Sequence, residues 1–159
     1  MKDIIQEKFG NRVRIRVCGL CFHDDKLLMV KHIGLGRDFL WAPPGGGLEF
    51  GEKATERLKK EFFEESNLEI EPGQFLFACE YMADPLHAIE LFFEVKPKDL
   101  AKLKTGYDPE MEGPDQLIKE VAFISQDTLA AIHPENLHGI FKICPEIVSL
   151  RQLRGYYSL

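Results

Sequence analysis

Apolar and polar residues alternate along the chain in a pattern that predicts strands on both sides of one central helix. Residues 12–23 place Val13, Ile15 and Val17 on one face and arginines on the other, which is typical of a half-buried strand. An Asp-Asp turn leads to a second apolar run, residues 26–31, so the two runs predict a hairpin. We expect further strands over residues 74–83, 86–95 and 118–124.

The central helix is predicted over residues 53–66, which are mostly good helix formers without glycine or proline. Ala54, Leu58 and Phe62 recur every four residues and form one apolar stripe. We therefore expect this helix to lie against the sheet through that stripe.

The C-terminal third is predicted to be mainly helical. Ser125 is a suitable N-cap for a short helix that runs toward Ile132. Residues 136–153 form an amphipathic pattern, which Pro145 should kink or divide. Residues 71–73 are interpreted as a turn, and residues 96–113 as a surface excursion. The whole pattern predicts an α/β fold, with a mixed sheet covered by helices.

Composition places the chain among ordinary globular proteins. It has 159 residues, which fit a single domain over residues 1–159, and it is 45% hydrophobic and 29% charged. The formal net charge of −6 argues against binding of a nucleic acid polymer. No apolar run is long enough to span a membrane, and the N-terminus lacks a signal core. The expected location is cytoplasmic.

The four cysteines are predicted to be buried free thiols. Cys18 and Cys21 form a CxxC, but they lie in a predicted strand, where this spacing points them to opposite faces. A zinc site would also need a second pair of ligands, and we find none in the sequence.

A glycine-rich segment and three carboxylates carry the candidate chemistry. Gly45, Gly46 and Gly47 allow close approach of a ligand to the backbone and precede the central helix. Within the helix, Glu61, Glu64 and Glu65 stand at i, i+3 and i+4, so their carboxylates share one face. Clustered like charges beside a buried stripe suggest a site for a hard cation with oxygen ligands.

These residues resemble the signature of the Nudix hydrolase family (MutT-like). That signature is Gly, five residues, Glu, seven residues, Arg-Glu, a hydrophobe, any residue, Glu-Glu, any residue, Gly and a hydrophobe. The positions in register are Gly46, Glu52, Glu61, Phe62, Glu64, Glu65 and Leu68. Lys60 replaces the arginine, which removes the planar fork that orients a carboxylate. Asn67 replaces the second glycine and can still adopt the left-handed conformation that ends a helix.

The resemblance implies the Nudix fold, an α/β/α sandwich with a mixed β-sheet. It also implies hydrolysis of a nucleoside diphosphate linked to another group X, with Mg²⁺ or alternatively Mn²⁺. The expected metal ligands are Glu61, Glu64, Glu65 and the carbonyl of Gly46. The glycines at 45–47 and Glu52, which supports them, are expected at the substrate-binding end of the site.

The general base is left open by the sequence. Glu120, beside the apolar run of the last predicted strand, is the first candidate for a further catalytic carboxylate. Other carboxylates remain candidates, although we interpret each as a solvated surface group: Glu90, Glu94, Glu112 and Asp115.

Substrate contacts are also expected outside the signature. Arg37 is a candidate for binding a phosphate, and Trp41 for stacking on a base. Further aromatic candidates for stacking are Phe39, Phe50, Tyr81 and Phe93. His87 is interpreted as a structural histidine, and no segment of the sequence identifies the nucleotide.

Two hypotheses of different kinds follow. The first is a metal-dependent hydrolase acting on a small nucleotide diphosphate compound, without nucleic acid polymer or membrane as partner. The second is a non-catalytic Nudix module that binds a nucleotide or metabolite. Retention of all three helix carboxylates favours the enzyme, whereas Lys60 and Asn67 keep the binding module open. The sequence leaves a homodimer open as the assembly.

Overall fold

The structure is a computed structural model that describes residues 2–34, 38–106 and 117–159. The strands are β1 (Val13–His23), β2 (Lys26–His32), β3 (Leu40–Ala42), β4 (Gly45–Gly47), β5 (Ile70–Ala83), β6 (Leu86–Pro97), β7 (Ile118–Ile124) and β8 (Gly155–Ser158). The α-helices are α1 (Lys2–Phe9), α2 (Ala54–Ser66), α3 (Gln126–Ala131) and α4 (Ile140–Ile143), and short 3₁₀ helices cover Leu100–Lys102, Pro134–Asn136 and Ile147–Gln152.

Within these described ranges, eight strands form one mixed sheet organised around β1. Along one edge, β1 pairs in parallel with β6; along the other, it pairs antiparallel with β4 and, at its end, with β2. The strands predicted over residues 74–83 and 86–95 are present as β5 and β6, which pair antiparallel, and β8 pairs in parallel with β5. On the other side, β2 pairs antiparallel with β3 and β7.

Buried apolar clusters lie on both faces of this sheet. On one face, Leu58 and Phe62 of α2 pack with Val17 and neighbouring strand residues. On the other face, Ile140 and Ile147 from the C-terminal helices pack against β1, β2, β5 and β6. The prediction of an α/β/α sandwich with a mixed sheet is confirmed.

The interpretation of the cysteines is also confirmed. Cys18 belongs to the cluster beneath the C-terminal helices, and Cys21 belongs to the cluster beneath α2. The strand therefore separates the two thiols to opposite faces, and all four cysteines are buried and free.

The central helix forms as predicted, with Lys53 as its N-cap. Leu58 and Phe62 are completely buried, and Ala54 packs against the same cluster. Asn67 ends the helix with φ of 59°, in the left-handed region, and its N–H bonds to the carbonyl of Phe63. Its side-chain amide also donates to the carbonyl of Lys102 at 2.9 Å.

Replacing Asn67 by alanine should therefore destabilise the protein by about 1 kcal/mol, because alanine tolerates the left-handed conformation less well. Asn67→Gly should cost less, since glycine adopts that conformation freely although the Lys102 bond is lost. Chemical denaturation of the three proteins measures the difference. A variant Asn67→Ala as stable as Asn67→Gly would contradict this account of the helix end.

On β1, the structure departs from the predicted pattern of burial. Val17 is completely buried, but Val13 is 57% exposed and Ile15 is also exposed. The prediction of one buried apolar face is therefore wrong for the first half of the strand. Arg14 and Arg16, on the opposite face, are partly buried and line a large cavity rather than an open surface.

Several local predictions are corrected. Residues 71–73 are not a turn but lie inside β5, where the pairing with β6 shifts register between Pro72 and Phe75. The glycines at 45–47 form a strand rather than a loop. Residues 136–153 are divided at Pro145, as predicted, but the pieces are short and partly 3₁₀, and β8 was not predicted.

The remaining local predictions agree with the structure. The hydroxyl of Ser125 accepts from the N–H of Thr128 at 3.2 Å, so the predicted N-cap of α3 is confirmed. Of the predicted surface excursion, residues 107–113 lie outside the described residues. No described helix combines the length and apolarity needed to cross a membrane.

Candidate active site

A cavity of about 1090 Å³ opens between α1, α2, β1, β4 and β6. Ligand pockets in proteins commonly have volumes of roughly 300–1000 Å³, so this one has room for a nucleotide. Its lining includes the glycines at 45–47 and the carboxylates of Glu61, Glu64 and Glu65. The structure therefore brings together the glycine segment and the helix carboxylates that the sequence singled out.

The strand β4, hereafter the glycine strand, is closely surrounded by neighbouring side chains. Gly46 pairs with Val17 of β1, and a Cβ at Gly46 would overlap the carboxyl group of Glu61. A Cβ at Gly47 would lie 2.8 Å from a terminal nitrogen of Arg14. A side chain at Gly46 would displace the buried carboxyl group of Glu61, whereas one at Gly47 would require only the end of Arg14 to move.

The three helix carboxylates face the cavity with different degrees of burial. Glu61 is 8% exposed and Glu65 is 4% exposed, whereas Glu64 is partly exposed. The N–H of Gly45 donates to Glu65 Oε1 at 3.0 Å, which ties α2 to the glycine strand. His32 Nε2 lies 3.9 Å from Glu65 Oε2. Burial and the nearby charge of Arg16 lower the pKa of His32 to about 4, so its imidazole is neutral near pH 7.

Arg57, one turn before Glu61 on α2, orients the helix carboxylate instead of Lys60. Its Nη2 lies 2.5 Å from Glu61 Oε1, and its Nη1 lies 3.4 Å from Glu52 Oε1. Both ends of the Arg57–Glu61 pair are largely buried, whereas Lys60 is exposed. This geometry gives the orienting contact to Arg57 and not to Lys60, which stands at the arginine position of the signature. The i,i+4 spacing of Arg57 and Glu61 was the available sequence signal.

The carboxylates have the chemistry that a divalent hard cation needs. Burial raises the pKa of Glu61, the Arg57 guanidinium opposes this shift, and the charge of Glu64 adds to it. A bound cation would relieve this repulsion, and all the donors are oxygens. In the described part of the chain, no three His, Cys, Asp or Glu side chains converge closely enough to enclose an ion. Two of the carboxylates are instead engaged by Arg57 and the Gly45 N–H. The residues fit a cation in donor type, and the side chains would have to converge further to enclose one.

A second polar cluster, Arg16–Glu90–His138, lies in the same cavity. Glu90 is only 3% exposed, so its interpretation as a solvated surface group is wrong. Arg16 Nη1 donates to Glu90 Oε2 at 3.0 Å, and His138 Nε2 lies 2.7 Å from Glu90 Oε1. Burial alone would raise the pKa of Glu90, but the contacts with His138 and Arg16 outweigh it and lower the pKa to about 2. Glu90 is therefore an ionised anchor rather than a general base.

The remaining carboxylate candidates within the described residues do not join the site. Glu120 is exposed on β7, opposite Lys31 of β2, and is absent from the cavity lining. Glu94 forms an ion pair with Arg151 at 2.7 Å. Three other predicted candidates lie outside the described residues: Arg37, Glu112 and Asp115.

The aromatic candidates are divided between core and cavity. Trp41 is buried in the cluster beneath the C-terminal helices, so the structure does not place its ring for stacking on a base. Phe39 packs against that cluster, and Phe93 packs against the cluster beneath α2. Phe50 and Tyr81 line the cavity, and Phe50 is fully exposed at its rim. His87 also lines it and bonds to Glu80 at 2.7 Å.

Comparison with protein families agrees with this arrangement. The model of the family described as "NUDIX domain" matches residues 11–140, which include the glycine strand, α2 and the Arg16–Glu90–His138 cluster. The chain belongs to the Nudix family.

A curated relative matches the chain at low sequence identity. The chain is 27% identical over 124 residues to the "Putative ADP-ribose pyrophosphatase YjhB" of Bacillus subtilis (strain 168), a match that covers 75% of this chain and 53% of that protein. The chain thus spans about half the length of this curated relative.

Solved structures share the fold at lower identity. A Nudix hydrolase from Nitrosomonas europaea has a TM-score of 0.68 and 19% identity, over 90% of this chain and 93% of the other. A MutT protein from Methanosarcina mazei Go1 has a TM-score of 0.65 and 17% identity, over 88% and 94% of the two chains. At these identities the likeness shows the fold alone.

Proposed function

We propose that this protein is a divalent-metal-dependent pyrophosphohydrolase that cleaves a nucleoside diphosphate linked to another group X. One observation carries the proposal: Glu61, Glu64 and Glu65 of α2 line the same nucleotide-sized cavity as the glycine strand, in a chain of the Nudix family. The relative from Bacillus subtilis bears the name of a putative pyrophosphatase, which agrees with this class of reaction.

In this proposal, Mg²⁺ or Mn²⁺ is held by Glu61, Glu64, Glu65 and the carbonyl of Gly46. When bound, such an ion polarises a phosphoryl oxygen and lowers the pKa of a coordinated water. Glu61 is positioned by Arg57 and by contact with Gly46, and Glu65 is positioned by the N–H of Gly45. The glycine strand lets Glu61 and Arg14 lie directly against the backbone, which holds these charged groups close together at the wall of the cavity.

Water is proposed to attack one phosphorus of the diphosphate, and the bond from that phosphorus to the bridging oxygen breaks. The products are two phosphate-terminated fragments, with one proton released to a base or to solvent. Among the described carboxylates of the cavity, partly exposed Glu64 is better suited to accept that proton than Glu90, whose pKa is lowered to about 2. Glu120 stays a prediction that the geometry of the cavity does not support.

A non-catalytic binding module is the second candidate function. It is favoured by the Arg57–Glu61 ion pair, which occupies a carboxylate that an enzyme would present to its metal. The two candidates differ in one respect that is simple to measure: only the enzyme consumes its ligand.

The experiment is a screen of nucleoside di- and triphosphates, dinucleotides and nucleotide sugars, with phosphate release and product chromatography as readouts. We expect cleavage of at least one diphosphate linkage with millimolar Mg²⁺ or Mn²⁺, and none in chelator. Binding without cleavage across the whole panel and both ions would establish the binding module instead.

A further inference from the structure

Besides the helix carboxylates, the cavity is lined by the Arg16–Glu90–His138 cluster, which has no role in the proposed function so far. Arg16 projects from β1 into the cavity, with its side chain about a third exposed. Besides its bond to Glu90, Arg16 Nη2 lies 3.5 Å from the carbonyl oxygen of Gly45. The guanidinium of Arg16 therefore lies between the buried carboxylate of Glu90 on β6 and the backbone of the glycine strand.

Glu90 fixes this guanidinium in place. Glu90 stands directly beside Arg16 on the parallel strand β6, and its two oxygens are bound by different partners. The N–H of Ile140 donates to His138 Nδ1 at 3.0 Å, so the proton of this imidazole is on Nε2 and points at Glu90 Oε1. The thiol of Cys18 lies 3.6 Å from Glu90 Oε2. Glu90 is thus a rigid acceptor, and Arg16 has little freedom to turn away.

Arg14 adds a second guanidinium group on the same face of β1 as Arg16. It lies two residues before Arg16 on β1, hence on the same face, at a spacing of about 6.6 Å between Cα atoms. The guanidinium carbon of Arg14 lies 4.4 Å from the centre of the Phe9 ring, and the guanidinium also lies beside Gly47. Arg16 contacts Gly45 and Arg14 lies beside Gly47, so the two cations flank Gly46, the glycine that lies against Glu61.

We propose that Arg14 and Arg16 bind a phosphate of the X group, so that the preferred substrate is a nucleoside triphosphate or another nucleotide whose X group bears phosphate. The inference rests on the proposed function, since it names the class of X. Guanidinium groups bind phosphate through paired N–H donors, and an arginine held by a buried carboxylate loses little side-chain entropy on binding. Glu90 is a positioning residue in this proposal, because it acts through Arg16.

The test compares matched pairs of nucleotides that differ only in X. ATP and UTP carry phosphate as X, and ADP-ribose and UDP-glucose carry a neutral sugar. We expect KM to be about tenfold lower or more for the triphosphate of whichever base is turned over, because hydrogen bonds between charged groups contribute about 1.5–3 kcal/mol. Arg16→Gln should raise KM for the triphosphate by about tenfold and leave KM for the sugar compound within about twofold.

Three further variants complete the design. Arg14→Gln should show the same selective effect, and it carries the test if Arg16→Gln fails to fold with Glu90 left short of a partner. Glu90→Gln should reproduce the selective rise in KM, with kcat changed less, whereas a purely structural defect would affect both classes of X alike. Arg154→Gln is the matched control, because Arg154 is exposed and bonds to backbone carbonyls of its own segment.

A second readout separates this inference from the proposed function. Isothermal titration with inorganic tripolyphosphate in chelator needs no metal and no turnover. We expect wild type and Arg154→Gln to bind it, and Arg14→Gln to bind it about tenfold more weakly or worse. If no nucleotide is hydrolysed but this binding difference holds, the proposed function fails and the phosphate site stands. Equal binding by wild type and Arg14→Gln, or a wild-type preference for neutral X, would overturn the site.

Discussion

Replacing Arg57 by alanine should lower kcat by about 100-fold or more, because small displacements of a catalytic group carry losses of that size. Arg57 binds Glu61 at 2.5 Å and Glu52 at 3.4 Å, so its loss frees the carboxylate that the account assigns to the metal. Lys60→Ala is the matched comparison and should lower kcat much less, because Lys60 lines the same cavity but is exposed, whereas Arg57 is buried against Glu61. Steady-state kinetics with the best substrate of the screen measures both variants.

Loss of Arg57 also leaves Glu61 buried without its cation, which should destabilise the fold by about 3–5 kcal/mol. The double variant Arg57→Ala, Glu61→Gln should regain part of that stability while remaining inactive. This combination separates positioning from folding. The role given to Arg57 is wrong if Arg57→Ala retains wild-type kcat, or if Lys60→Ala loses activity to the same extent.

The central helix and its end could be predicted from the sequence because their causes are local. Residues 53–66 carry helix propensity and a four-residue apolar stripe, and Asn67 supplies the left-handed end. The separation of Cys18 and Cys21 likewise follows from the two-residue period of one strand. The carboxylate face of α2 was predictable for the same reason.

The Arg16–Glu90–His138 cluster could not be predicted, because its residues lie far apart in the chain. Arg16 and Glu90 meet only through the parallel pairing of β1 with β6, and His138 reaches Glu90 from the segment that leads into α4. No local pattern distinguishes Glu90 from an exposed strand glutamate. The burial of β1 was misjudged for a related reason: alternation identifies two faces, but not which of them borders a cavity.

The second large effect is expected in the response of stability to metal. Without metal, Glu64→Gln should leave stability unchanged or raise it by a few tenths of a kcal/mol, because the charge of Glu64 opposes that of Glu61. With metal at about a hundredfold excess over its dissociation constant, wild type should gain roughly 2.7 kcal/mol by mass action. Glu64→Gln should gain much less. Thermal melts in chelator and in millimolar Mg²⁺ or Mn²⁺ give the comparison.

Glu56→Gln is the control for this experiment. Glu56 lies on the same helix, is exposed and pairs with Lys59 at 3.4 Å, away from the carboxylates of the cavity. It should respond to metal as wild type does. An equal metal response in wild type and Glu64→Gln would show that the ion binds elsewhere, and the enzyme hypothesis would lose its main support.

The most direct test of the central claim is the rate of diphosphate cleavage in wild type and Glu64→Gln, followed through one cycle of metal removal and return. We expect cleavage by wild type with Mg²⁺ or Mn²⁺, its loss in chelator and its recovery when the ion is restored. Glu64→Gln should be slower by about 100-fold or more under the same conditions, because Glu64 is also the proposed proton acceptor. Cleavage that persists in chelator, or that is equally fast in Glu64→Gln, would contradict a metal-dependent hydrolase built on the carboxylates of α2.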